Sequence, residues 1–103
     1  MMAADANLQV WLDTQANMGQ TLLVPYVKTV TDRQINFRLD VIQRGSGGTS
    51  RISQQGLVKA MAKAPTSLGR VALGVQGNSE CSIELELKEN GAELGVYHFD
   101  CPR

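Results

Sequence analysis

The sequence predicts an all-β, immunoglobulin-like β-sandwich of about seven antiparallel strands in two sheets. Three observations carry this. Short segments of alternating apolar and polar residues recur along nearly all of the 103 residues. Turn-forming residues separate them every eight to twelve positions, the spacing expected of a sandwich. Two cysteines, Cys81 and Cys101, bracket a segment with an Asn90-Gly91 turn at its centre, the strongest short hairpin signal.

The strands follow in order. Leu8, Val10 and Leu12 alternate with Gln9, Trp11 and Asp13. Thr21 to Val30 is β-branched and apolar, and Pro25 within it removes a ladder donor. An edge position or a bulge is therefore expected there. Ile35, Phe37, Leu39 and Val41 alternate with Asn36, Arg38 and Asp40, the cleanest strand of the chain. Gly45-Ser46-Gly47-Gly48 reads as a flexible loop, and Arg51 to Gln54 as a short polar strand. Leu57 to Ala64 has good helix formers, but Gly56 and Pro65 bound it to about two turns, too short for a stable isolated helix. Extended or irregular structure is expected instead. Val71, Leu73 and Val75 make a further strand, and Ile83, Leu85 and Leu87 another, with Ala92 to Asp100 returning beside it.

The cysteines add a constraint. With a two-residue Asn90-Gly91 loop and no irregularity, Cys81 faces Asp100 and Cys101 points to the opposite face. A three-residue loop or one bulge puts both cysteines on one face, where they can bond. A disulfide with a G1-type bulge or a three-residue loop is the expectation. Closing this loop stabilises the fold by roughly 3 kcal/mol in the chain-entropy model. Such a staple points to an oxidising compartment. The cysteines are too close in sequence for the inter-sheet bridge of antibody domains, and Trp11 sits on the first strand.

Length allows one domain, residues 7–103, with residues 1–6 as an unstructured leader of a mature, exported chain. Met1 to Ala6 has neither the basic nor the apolar region of a signal peptide, and no apolar run approaches 18 residues, so no membrane insertion is expected. Net charge is zero but unevenly spread. Residues 1–27 carry Asp5 and Asp13 and no base. Residues 28–70 carry eight bases against Asp32 and Asp40, a balance of +6, and residues 71–103 carry six acids against Lys88 and Arg103, a balance of −4. Such asymmetry fits either a charged binding face or opposite charges paired across neighbouring strands. Glu84 and Glu86 share one face of their strand and should lie near Arg38 or Arg44.

No catalytic constellation is visible. His98 is the one histidine, and no second histidine or thiolate cluster completes a zinc site. The cysteines lack Cys-x-Cys or Cys-x-x-Cys spacing, which argues against a dithiol redox centre. The glycine loop lacks the Gly-Lys-Ser/Thr ending of a phosphate loop. Phe37 is the one aromatic residue among the bases of 28–70, so nucleic-acid binding is not expected. The expectations are no cofactor, no metal and no enzyme.

The order of these segments carries a resemblance. The strand Phe37 to Ile42, the loop Arg44 to Ser50, the polar strand Arg51 to Gln55, the strand Arg70 to Val75, and the hairpin from Cys81 through Gly91 to Cys101-Pro102 are those of a known group. From Leu8 to Pro102 the chain resembles the CsgC-like periplasmic chaperones of curli biogenesis, most closely the CsgH type of alphaproteobacteria. The resemblance implies a periplasmic, monomeric, immunoglobulin-like chaperone that keeps the secreted curli subunit from nucleating amyloid before export, at low molar ratios. Curli subunits are generally acidic, so the partner face should be basic. Lys28, Arg38, Arg44 and Arg51, on the middle strands and beside the glycine loop, are the candidate client-binding residues. The enterobacterial branch carries a Cys-x-Cys motif that this chain lacks, so an inhibitory activity shared by both cannot depend on it. A structural or adhesive immunoglobulin-like module of a surface assembly is the alternative, and an oxidoreductase would need a reactive thiol pair.

Overall fold

Both residues of the Asn90-Gly91 turn adopt positive φ, 52° and 80°, as a two-residue type I′ hairpin requires. The turn joins β7 (Glu80–Glu89) to β8 (Ala92–Asp100). It is one of three hairpins in the computed structural model, which describes residues 7–45, 47–74 and 80–101. A second joins β1 (Leu8–Asn17) to β2 (Gln20–Thr29) through Met18 and Gly19, again both at positive φ. The third joins β3 (Arg33–Gly45) to β4 (Gly48–Ala60). Two short strands, β5 (Thr66–Ser67) and β6 (Val71–Gly74), complete the set. The expected leader, residues 1–6, lies outside the described residues, as do Val75 and Pro102.

The eight strands form two four-stranded antiparallel sheets. In the first, β1 pairs with β2, and β5 and β6 both pair with the far side of β2. In the second the order is β4-β3-β7-β8. Taken together, β5 and β6 are one edge strand interrupted at Leu68 to Arg70, which reconciles eight strands with the seven expected.

The interruption explains Pro25. Contrary to the sequence expectation, β2 is a central strand, with neighbours on both sides. Its ladder to β6 ends at Leu23 and its ladder to β5 begins at Tyr26. The Leu68 amide donates to the Pro25 carbonyl at 2.8 Å, so Pro25 directs its carbonyl, and with it its ring nitrogen, toward this break. The missing donor falls where no ladder bond is made.

The core lies between the sheets. Leu23 and Val27 of β2 face Ile35, Leu39 and Val41 of β3 and Ile83, Leu85 and Leu87 of β7, and Leu68 fills the break between β5 and β6. Alternation is what sorts them: every second residue of β7 is buried from Ile83 to Leu87, and the residues between face outward.

Strand β4 is far longer than the Arg51–Gln54 segment read from sequence. It runs from Gly48 to Ala60, with every residue registered against β3 from Arg33 opposite Ala60 to Gly45 opposite Gly48. Half of the helix-prone stretch is therefore extended. Val58 and Ala60 point inward, and the ladder and that burial outweigh the weak helical preference. The glycine segment also differs from the expected loop: Gly45 ends β3 and Gly48 starts β4.

At the edge, the inward-facing Gln54 side chain grips the main chain of the other sheet. Its Nε2 donates to the Arg70 carbonyl at 2.7 Å, and its Oε1 accepts from the Arg70 amide at 3.0 Å. Gly69 beside it has φ +84°, and a Cβ there would lie 2.6 Å from Gln54 Oε1. Any other residue would be strained in this backbone and would displace the Gln54 side chain. At another margin of the sandwich, Arg33 and Glu89 form a bidentate, half-buried ion pair, 2.7 Å at its shortest.

Candidate functional site

The outward face of the β4-β3-β7-β8 sheet carries most of the charge the sequence set aside. Antiparallel register fixes its rows. Arg38 stands between Gln55 of β4 and Glu86 of β7, and Asp40 between Ser53 and Glu84. Ile42 stands between Arg51 and Ser82, and Arg44 between Thr49 and Glu80. On the β8 side, His98 lies opposite Glu84, and Asp100 opposite Ser82. The face is thus divided lengthwise, with arginines on β3 and β4 and carboxylates on β7.

Asp40 is the exception. It points outward among exposed residues yet is only 7% exposed. Its Oδ1 accepts the Ser53 hydroxyl and also pairs with Arg51 Nη2 at 3.3 Å. Its Oδ2 pairs with Arg38 Nε at 3.1 Å. The Ser53 hydrogen bond and the two guanidiniums hold the carboxyl below its ordinary range, and burial opposes them without prevailing. One carboxylate thereby ties together arginines from two strands. Their side chains remain about half exposed, at 54% each.

The acids of β7 are engaged elsewhere. Glu84 Oε2 lies 3.0 Å from His98 Nε2, and Glu86 lies 3.9 Å from Lys88 Nζ. Glu86 is indeed across from Arg38, as the expected strand order requires, but Arg38 turns to Asp40 instead.

Of the four candidate cations, the structure brings Arg38 and Arg51 together on Asp40 and places Arg44 on the same face nearer the glycine segment. Lys28 is separate. It lies on β2 opposite Gln9, between the buried Val27 and Thr29, and so faces outward from the other sheet. A single face holding all four is not formed, because Lys28 belongs to a different layer of the sandwich. Asp40 and Ser53 were missed in the sequence. The available signal was an aspartate at the centre of a strand, a position that residue disfavours.

Cys81 and Cys101 are joined, with Cα atoms 5.4 Å apart, and no free cysteine exists among the described residues. The irregularity that permits this is not at the turn. Leu87 pairs with Gly95 and Lys88 with Glu93, so Leu94 is the extra residue, and every pair beyond it is shifted by one. The Asn90-Gly91 loop keeps its two residues, and the bulge is neither a three-residue loop nor a glycine bulge at the turn. No group of three or more metal-ligating side chains occurs among the described residues.

Two four-stranded antiparallel sheets with a charged outer face and an intra-sheet disulfide define the class, a small immunoglobulin-like β-sandwich. The family model of the CsgH protein matches residues 9–94, and the chain belongs to the CsgH family. Two solved structures share the fold. The solution structure of R. palustris CsgH is 24% identical, with a TM-score of 0.74 over 90% of this chain and 91% of that one. The E. coli curli protein CsgC is 16% identical, with a TM-score of 0.75 over 93% of this chain and 99% of that one. No curated protein sequence matches the chain. As a member of the CsgH family the protein is a periplasmic chaperone of curli biogenesis and not an enzyme. The disulfide suits that oxidising compartment.

Proposed function

We propose that this chaperone of curli biogenesis inhibits premature amyloid nucleation of the curli major subunit through transient, electrostatically guided contacts made at a low ratio to the client. The observation that carries the reading is the grouping of Arg38, Arg44 and Arg51 on one exposed sheet face. An acidic client is drawn to such a face, and the encounter rate falls as salt screens the charges. Brief contact disfavours the ordered cross-β nucleus without consuming the chaperone. That the E. coli neighbour is a curli protein supports the choice of client.

The test is a dye-fluorescence time course of fibril formation by the curli subunit, with the chaperone at a small fraction of the client concentration. A lag lengthened at low salt and restored by high salt is expected. Arg38→Glu combined with Arg44→Glu should shorten the lag again while the circular dichroism spectrum is unchanged. A folded double variant that inhibits like the wild type overturns the proposal. A stable complex of fixed stoichiometry would instead favour a structural or adhesive module.

A further inference from the structure

The proposed function leaves open what on an acidic client the face recognises. Asp40 bears on this, because a carboxylate buried within a basic patch subtracts charge from it. An attractive surface built on charge alone gains nothing from an aspartate at its centre. The cost of burying that carboxylate is met by three donors from Ser53, Arg38 and Arg51, which is more than an incidental pair requires.

Geometry supplies the reason. Free arginine side chains hold many rotamers, and an exposed cation on a sheet has no fixed position. Here Arg38 is anchored by Nε and Arg51 by Nη2, to the two oxygens of one carboxylate. Each guanidinium keeps further N–H donors beyond the anchoring one, and each side chain is half exposed. Both guanidiniums are thereby drawn beside one carboxylate group, Arg38 at 3.1 Å and Arg51 at 3.3 Å. Alternate side chains of an extended strand recur every ~6.5 Å on one side, a spacing on which two same-side acids can reach neighbouring cations. Arg44 is set apart from the pair because the ion pairs to Asp40 are made by Arg38 and Arg51. Of the neighbouring acids on β7, Glu84 lies against His98 and Glu86 beside Lys88, and Arg38 pairs with Asp40 rather than with Glu86 opposite it.

We infer that Asp40, held by Ser53, is a positioning residue that fixes Arg38 and Arg51 as a paired receptor for two carboxylates at alternate positions of an extended acidic segment. This rests on the reading that the basic face meets the client and adds which client feature it selects. The partner is a strand-like peptide with acidic side chains two residues apart, on one side of the strand. Acids at adjacent positions point to opposite sides and engage one guanidinium at a time.

The experiment uses the full chain and labelled, end-capped peptides of one composition. Each has two glutamates in a serine-threonine background, either adjacent or separated by one residue. Fluorescence anisotropy at low salt should show the alternate spacing binding about fivefold tighter, the upper end of what one added exposed ion pair supplies. Asp40→Asn keeps the shape and raises the net charge by one. It should remove the spacing preference even though both peptides are attracted at least as strongly. Ser53→Ala, at an exposed position of β4, should reduce the preference in the same direction and serves if the Asn variant does not fold. Equal binding of the two peptides by the wild type overturns the inference, and so does a preference undiminished in folded Asp40→Asn or Ser53→Ala. If Arg38→Glu with Arg44→Glu abolishes inhibition but the peptides bind alike, the proposed function stands and this inference falls. If that variant inhibits normally, the proposed function itself falls.

Discussion

The two sheets of this sandwich are held by different means. The β4-β3-β7-β8 sheet is built from two hairpins of long strands, nine to thirteen residues each, laid side by side. Its interior face buries Ile35, Leu39, Val41, Ile83, Leu85 and Leu87, and its exterior face carries Arg38, Arg44 and Arg51. The first sheet has one hairpin, and its far edge is two fragments of two and four residues. That edge is positioned by contacts from outside it: Leu68 on the Pro25 carbonyl, and Gln54 on the main chain of Arg70. Beside the break, an open groove of about 490 Å³ is lined by Leu22, Val24, Tyr26 and Arg70 among others. Near it Trp11 and Tyr26 stack with ring centroids 5.6 Å apart. Long hairpins support one another through a shared ladder between β3 and β7, whereas a short edge strand needs contacts from elsewhere in the fold to hold it.

Three changes test this contrast. The largest effect is expected at Leu85, which is fully buried at the centre of β7. Leu85→Ala should destabilise the protein by about 2–5 kcal/mol in a denaturant titration, as core truncations do. A loss below about 1 kcal/mol would mean that the long sheet does not anchor the core as argued. Gly69→Ala acts on the other sheet. It forces a side chain into left-handed backbone and against Gln54, and should cost about 1–3 kcal/mol. Amide exchange should speed up first in residues 66–74 rather than in β3 and β7. Uniform acceleration across both sheets would show that the broken edge is not a separate weak point.

The smallest effect concerns pH. The Asp40 carboxyl is held below its ordinary value near 3.8 in the folded protein, so ionised Asp40 favours the fold. That contribution is complete above the unfolded value and is lost as pH falls through the folded one. Wild-type stability should therefore drop more steeply than that of Asp40→Asn as pH falls below about 4. Parallel acid limbs for the two proteins would show that the network adds nothing to stability.

Much of this was legible because strand periodicity and hairpin turns are local. The alternation of Ile35 to Val41 and of Ile83 to Leu87 identified inward and outward positions correctly, and so put Arg38 and Arg44 on one exposed face. The disulfide was legible from hairpin symmetry together with the need for one irregularity. The site of that irregularity was not, since nothing about Leu94 marks it as a bulge residue. The length of β4 was obscured by residues with helical preference, whose conformation is set by the neighbouring β3. Pro25 misled for a related reason: a proline excludes a ladder bond on one side only, and which side is broken depends on a strand forty residues away.

The sequence by itself determined the all-β class, the strand faces, the Asn90-Gly91 turn, the pairing of Cys81 with Cys101 and the basic character of residues 28–70, because each depends on residues close along the chain or on composition. Only the tertiary structure decided that Lys28 faces away from the arginines, that Asp40 gathers Arg38 and Arg51, and that Gln54 clasps Arg70. Those outcomes depend on which strands become neighbours and in what register. Register is fixed by burying one whole face of each sheet at once, a condition that no single segment of the chain contains.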